Sequence, residues 1–446
     1  MAKWSIDWQG VKEEALEVLR GYIRIDTTNP PGREEAAARY LMGLLEREGL
    51  KPELYPSAPE RANLLVRMEG SGGEAPFLLM HHMDVVPAER DKWSVDPFSA
   101  EVRDGYIWGR GSLDTKGFGV AQLMALLLIK RHRIPLKRPL WLMAAADEEA
   151  GGRWGVQWML KEVPELKRVA FVLNEGGTIR LNPDGTLHHY EISTAQKTVA
   201  QFRLKAKGRT GHGSIPHEDN ANDKLVRALS KLVHWKAPTK VIPLVRDYFR
   251  NLAPLQPPED APYYEDIEKG LKDEAFAQRF LSQHHYNAMV RNTHTLTVLR
   301  SGTKVNVIPS EAEAIFDCRL LPGTQKEQFF RTVKEVIKGE EVELLPLEEF
   351  EGTASPPSPA DGELFQAIRR VARRKDPNCV VTPFLITGAT DSRFFRALRI
   401  PCYDFTPFRL TQEEVNLIHS HNERLSVDNL LFAVQFLFDL ILEVAT

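Results

Sequence analysis

PFLLMHHMDVV, residues 76–86, is apolar from Phe77 to Met80 and then turns into His81, His82 and Asp84. A near-continuous apolar run of this length reads as a strand buried on both faces, the kind found in parallel sheets covered by helices on each side. RPLWLMAAADEE (138–149) and RVAFVLNEGG (168–177) repeat the pattern, each closing on carboxylates. Between the first two of these strands, LDTKGFGVAQLMALLLIKRHR (113–133) predicts a helix. Strand alternating with helix indicates an α/β fold, and in such sheets ligands collect outside the carboxyl ends of the strands. His82 after FLLM, Glu148 after LWLMAAA and Glu175 after AFVL all fall at expected strand ends.

Outward from this core, residues 10–24 carry an amphipathic pattern at Val11, Ala15, Leu16, Val18, Leu19 and Ile23. TTNPPG (27–32) breaks it, and a second helix runs through AAARYLMGLLEREGL to Gly49. Near residue 196 the character changes. TVAQFRLKAKGR (198–209) alternates apolar and polar residues, as a half-exposed antiparallel strand does. A turn, GRTGHGS, leads to a helix over NDKLVRALSKLVHW (222–235). THTLTVLRSGTKVNVIP and EAEAIFDCRLLPG predict two more strands, followed by a helix (325–339) and a short strand, VELLP. That order describes a small α+β sandwich with one open sheet face. A charged, proline-containing and helical stretch near 236–290 reads as an insertion in it. EGTASPPSPADGELF (351–365) is a linker, after which helix, strand and helix resume the first pattern. The parse is therefore a catalytic domain in two parts, 1–195 and 351–446, interrupted by a smaller domain at 196–350.

The chain has 446 residues, 58 basic and 61 acidic side chains and a formal net charge of -3, so no basic surface points to a nucleic-acid partner. No stretch reaches the roughly 18 uninterrupted apolar residues of a membrane span, and the N-terminal residues lack an apolar leader core. Three cysteines, Cys318, Cys379 and Cys402, fit neither a metal motif nor a disulfide framework. A reducing cytoplasm is expected, with each thiol a small buried hydrophobe.

The acidic and histidine clusters carry the chemistry. His82 and Asp84 lie two residues apart, on one side of an extended chain, so Asp84 can take the second N–H of a metal-ligating His82. His81 points the other way, into packing. Asp114, in GRGSLDTKG, sits between glycine-containing turns ahead of a helix and could bridge two metals. A nucleotide loop is the rival reading, but Asp114 occupies the third glycine position, where a phosphate would meet a carboxylate. Asp147, Glu148 and Glu149 would repel one another unless cations hold them, and a ligand beside a general base divides that labour. Asn174-Glu175 repeats the theme. Either His419 or His421 in LIHSHNERLS completes the set, and spacing does not choose between them. Carboxylates and imidazoles are ligands that zinc accepts, and two metals sharing one carboxylate need about this many.

Taken together, HMDVVP, GRGSLDTKG, DEEAGG, NEGG, GRTGHGS, NVIP, GATDSRFFR and HSHNER resemble the M20 family of co-catalytic zinc metallopeptidases, which includes glutamate carboxypeptidases, aminoacylases, succinyl-diaminopimelate desuccinylases and carboxypeptidase S-like enzymes. The motifs occur in the family's order from about residue 80 to 424. The resemblance implies a zinc-peptidase-like catalytic domain with a mixed, largely parallel sheet, and an inserted lid that dimerises. It implies one metal site of His82, Asp114 and Glu175 and another of Asp114, Glu149 and His419, selecting His419 over His421. The ions would be zinc, with cobalt or manganese as substitutes. Glu148 matches the general base and Asp84 the orienting carboxylate. His212 matches a lid histidine that stabilises the oxyanion of a neighbouring subunit's reaction, with Asn306 as companion. Arg393 resembles a residue gripping the substrate's free carboxylate, and Arg319 is a further candidate of that kind, with an ordinary surface ion pair as its rival reading. The implied reaction is hydrolysis of an amide in a small peptide or an N-acyl amino acid. The dipeptidase or carboxypeptidase type stands first and the N-acyl-amino-acid deacylase type is the alternative. A non-catalytic ligand-binding paralogue is the reading from another class, and it would have lost the base or a ligand.

Overall fold

A computed structural model describes residues 4–347 and 354–446. The expected boundary at 350/351 and the first residues of the linker lie outside the described residues. The chain divides into two compact units, Met1–Thr194 with Pro357–Phe384 and Thr390–Thr446, and Ala195–Pro356 with Leu385–Ala389.

The first unit is built on an eight-stranded sheet. Its order is Glu53–Ala58, Arg61–Met68, Leu140–Ala145, Phe77–His82, Phe171–Leu181, Cys402–Leu410, Leu187–Gln196, Val381–Ile386. Strand Phe77–His82 runs parallel to both neighbours, and Phe171–Leu181 runs parallel to Cys402–Leu410. The pairings beyond this centre, toward Glu53–Ala58 and between Cys402–Leu410 and Leu187–Gln196, are antiparallel. Every residue of Phe77–His82 and of Leu140–Ala145 is buried, which is why those stretches are apolar without alternation. Each large side chain among them contributes about 1.5–3 kcal/mol by leaving water.

Helix Lys116–Arg131 is buried at every position from Lys116 to Ile129. It packs against Val427–Ala445 and Trp8–Ile23 in the main core, so an all-round apolar helix is satisfied on all sides. The other sheet face is closed by a cluster that includes Leu78, Met80, Met143, Val156, Met159 and Phe395. Asp7 caps Trp8–Ile23 and Ser426 caps Val427–Ala445, each accepting a first-turn amide. No helix among the described residues is long and apolar enough to cross a membrane.

The second unit carries an antiparallel sheet in the order Thr293–Ser301, Glu311–Leu320, Phe202–Lys207, Val342–Pro346, with Thr198–Val199 beside Glu311–Leu320. One face buries Phe202, Leu204, Ala206, Ala314, Phe316 and Cys318 in a common cluster with side chains of helices Ala221–His234 and Lys326–Val336. The other face bears ion pairs such as Lys205–Glu311 at 2.9 Å. The stretch near 236–290 forms short helices around packed aromatic rings, with Phe249 and Phe280 edge to face at 4.9 Å and Phe280 and Tyr286 stacked at 5.2 Å.

Several strands escape the hydrophobic reading. Leu187–Gln196 buries His189, Glu191, Ser193 and Thr194, and Cys402–Leu410 buries Asp404. These polar residues are buried in partnered form, His189 with Glu191 at 3.0 Å and Asp404 with Arg396 at 2.9 Å, so the runs look like loops in sequence. Glu175 also departs from expectation. Its strand does not end there but continues to Leu181. Asn174 pairs with Asp404 and Gly177 with Phe405, leaving Glu175 and Gly176 unmatched in a bulge. Glycine is required beside it, because a Cβ on Gly177 would sit 2.1 Å from the Glu191 carbonyl oxygen.

Candidate active site

The carboxyl ends of the parallel strands and the loops beyond them bring the first unit's acidic clusters together. His82 is the last residue of its strand and is 2% exposed. Its Nε2 lies 2.9 Å from Asp114 Oδ1 and 3.5 Å from Glu175 Oε1. Asp114 turns its other oxygen to His419, 2.9 Å from Nε2, and His419 lies 3.3 Å from Glu149 Oε1. His82, Asp114 and Glu175 form one group whose ligand atoms all lie within 4.8 Å of one another, and Asp114, Glu149 and His419 form a second. The two groups share Asp114. His421 lies apart, 2.9 Å from Glu89 Oε2.

Asp84 is fully buried, and His82 Nδ1 lies 2.9 Å from its backbone carbonyl and 3.4 Å from its carboxylate. The carboxylate is engaged mainly elsewhere: it accepts from the amides of Glu148 and Glu149, each at 3.1 Å. Glu148 opens a single turn of 3-10 helix after a left-handed Asp147, and its Oε1 is 4.0 Å from Arg393 Nη1. Arg393 itself is 7% exposed and donates to the Thr390 carbonyl at 2.9 Å and the Gly151 carbonyl at 2.8 Å. It therefore ties its own helix to the loop after Glu149.

The remaining expected residues belong to the second unit. His212 and Val307 pair across a two-strand ribbon, His212 Nδ1 lies 2.7 Å from Ser214 Oγ, and Gly213 donates to the Asn306 carbonyl at 2.8 Å. Arg319 grips Asp317 through two bonds of 2.7 and 3.0 Å.

Electrostatics favour a cation at the shared carboxylate. Burial pushes the Glu148, Glu149 and Glu175 carboxyls up, and the Asp114 charge adds to this at Glu149 and Glu175. Asp114 is held well below the usual carboxylate range: burial pushes it up, but His419 and His82 outweigh that. Hydrogen bonds donated to Asp114 and Glu149 raise His419 to about 11. Four carboxylates around two imidazoles in a desolvated pocket favour compensating positive charge, and an oxygen–nitrogen donor set of this kind suits a borderline divalent ion.

Some of the participants have no role in the sequence reading, although HSHNER contains Glu423 and GATDSRFFR contains Asp391. Glu423, fully buried, accepts from the Leu113 and Asp114 amides at 2.8 and 3.2 Å and from Arg110 at 2.7 Å. Asp391 is buried beside Arg393, and burial pushes its carboxyl up to about 7. Asn29 and Arg61 lie behind Asp84 and Asp147. A lone asparagine before two prolines, or an arginine opening a strand, offers nothing by type or spacing to single it out.

Two ligand groups hinged on one carboxylate at the carboxyl end of a largely parallel sheet form a candidate dinuclear metal centre of a hydrolytic enzyme. The chain belongs to Peptidase family M20/M25/M40, whose model matches residues 78–443. It is 31% identical over 449 residues to the N-fatty-acyl-amino acid synthase/hydrolase PM20D1 of Xenopus tropicalis, covering 96% of this chain and 86% of that one. It is 27% identical over 427 residues to human aminoacylase-1, covering 94% and 92% respectively. The fold is that of an M20 family metallo-carboxypeptidase from Sulfolobus solfataricus, with a TM-score of 0.72 at 18% identity over 97% of this chain and 99% of that chain.

Proposed function

We propose that this enzyme hydrolyses the amide bond of an N-acyl amino acid or short peptide that carries a free carboxylate. The observation that carries the reading is Asp114 standing 2.9 Å from a histidine on each of its two oxygens, with Glu148 alongside. His82, Asp114 and Glu175 would hold one divalent ion and Asp114, Glu149 and His419 the other, with zinc first by donor type. Bound ions supply a water of lowered pKa and Lewis-acid polarisation of a carbonyl. Glu148, raised by burial, takes the water's proton and returns it to the leaving amine. Arg393 is assigned to the substrate carboxylate, and His212 with Asn306 to the oxyanion of a second copy's reaction, whereas Arg319 is taken up by Asp317.

Pairing of two copies is supported by the second unit's own surface. Val226 and Val233, both 62% exposed, lie on the outer face of helix Ala221–His234, and Leu299 is 59% exposed on the edge strand Thr293–Ser301. All three cysteines are free and buried, which supports a reducing cytoplasmic setting.

Among substrates, N-acyl amino acids come first, because the relative named as an N-fatty-acyl-amino acid synthase/hydrolase aligns over 96% of the chain. Short peptides are the second reading, supported by the family's description as peptidases. A non-catalytic paralogue would lack the base or a ligand, and each is present. The test is hydrolysis by zinc-loaded protein of a panel of N-acyl amino acids and dipeptides, with products read by mass spectrometry. Release of free amino acid from the acyl series is expected. Protein holding two ions yet cleaving neither series overturns the reading.

A further inference from the structure

We infer that Arg61 and Asn29 form a positioning bracket that fixes the general-base turn against the carboxylate behind His82. The inference rests on the roles proposed above for Glu148, Glu149 and His82.

The turn that presents Glu148 and Glu149 begins at Asp147, a non-glycine residue with φ of 69°. L-residues resist that region, so the surroundings must impose it. The Asp147 carbonyl accepts from Ala150 at 3.3 Å and Gly152 at 2.6 Å, and its carboxylate, 4% exposed, accepts from the Trp154 amide at 3.0 Å. The other carboxylate oxygen takes Arg61 Nη1 and, at 3.1 Å, Asn29 Nδ2. That same amide nitrogen donates to Asp84 Oδ2 at 2.8 Å. Asp84 in turn accepts the two amides that open the turn, Glu148 and Glu149, at 3.1 Å each. The turn is thus gripped twice at its start: Asp147 holds the residue that opens it and Asp84 its first two amides.

Among the described residues Asn29 is the one group hydrogen-bonded to both carboxylates, and its orientation is set by Arg61. Nη2 of Arg61 donates to Asn29 Oδ1 at 2.8 Å, which leaves the Asn29 nitrogen facing the two acids, and also to the Pro31 carbonyl. Arg61 Nη1 stands 3.5 Å from Glu34 Oε1. The guanidinium therefore supplies positive charge among Asp147, Glu34 and, through Asn29, Asp84. Its planar fork is what lets one side chain serve an amide, a carboxylate and a carbonyl in fixed directions. A flexible ammonium brings the charge without that geometry. Neither residue reaches the reacting atoms, so both act through the turn.

The experiment uses full-length protein with Asn29→Ala, Arg61→Lys and, as a control on the same strand, Arg67→Lys. Each is titrated with cobalt and followed by its visible absorption spectrum, and zinc-loaded kcat and KM are measured on one N-acyl amino acid. In Asn29→Ala and Arg61→Lys, kcat is expected to fall about 10- to 100-fold, as loss of groups supporting a metal site usually costs. KM should stay within about 3-fold and the cobalt bands should shift, while Arg67→Lys matches the parent. Parental kcat and spectra in Asn29→Ala overturn the inference, whatever becomes of the folding of Arg61→Lys. A parent protein that binds no cobalt or cleaves nothing refutes the proposed function instead, a result distinguishable from failure of the bracket alone.

Discussion

His82 and His419 stand on opposite sides of one carboxylate, each with Nε2 2.9 Å from a different oxygen of Asp114. A side chain used on both sides should govern both ions. Asp114→Asn is expected to leave well under one ion per chain, whereas His419→Ala should lose one and keep the other. Elemental analysis after dialysis at limiting metal separates the two cases, and equal losses would argue against a bridge.

Glu148→Gln keeps the shape of the turn and both amide bonds to Asp84. Metal content should therefore match the parent while kcat drops about 10²- to 10⁴-fold, the usual cost of removing a general base. Loss of metal together with activity would move Glu148 from base to ligand.

Arg393 spends two N–H groups on the carbonyls of Thr390 and Gly151 and has others to offer. Arg393→Ala should raise KM for an N-acyl amino acid about 10- to 100-fold, the scale of a charged hydrogen bond. The matching amide, lacking the carboxylate, should be nearly unaffected. The same rise on both substrates would reduce Arg393 to a tie between loops.

Glu34 offers a test by pH. Burial, with the Asp84 charge adding to it, pushes its carboxyl from 4.5 up to about 7, and among the described residues neither oxygen has a hydrogen-bond partner. A raised folded-state pKa means the folded chain binds the proton more tightly, so stability from this group falls as pH rises from about 4.5 to 7. Glu34→Gln removes that loss. Relative to the parent it should gain on the order of 2–3 kcal/mol between about pH 5 and pH 8 in urea unfolding. A difference independent of pH would mean that Arg61 keeps Glu34 charged throughout.

Val226→Glu combined with Val233→Glu places two charges on the outer face of the second unit's helix. Sedimentation velocity should show the double variant as a monomer where the parent sediments as a dimer. If His212 serves a neighbouring copy, activity should fall with dissociation and return at high protein concentration.

The sequence was most legible where chemistry and burial coincide. FLLMHH and LWLMAA are apolar because both sheet faces are covered, and their polar successors stand out against that background. Glu175 was legible by type but not by place, since a bulge inside a strand looks like a strand end. Leu187–Gln196 was illegible because its burial is of paired polar side chains, which no hydrophobic pattern records. Arg61 and Asn29 escape for a related reason. Their importance lies in which distant atoms they meet, and a single chain of letters does not state that.

Glu423 lies 309 residues beyond Asp114, whose amide it receives. A ribosome adding about 5–20 residues per second exposes His82, Asp114, Glu148, Glu149 and Glu175 roughly 10–50 seconds before it delivers His419 and Glu423. During that interval the nascent chain carries the acids and one imidazole without the segment that organises them. Hydrolytic capacity is thus acquired late in translation, timed by the order of the message.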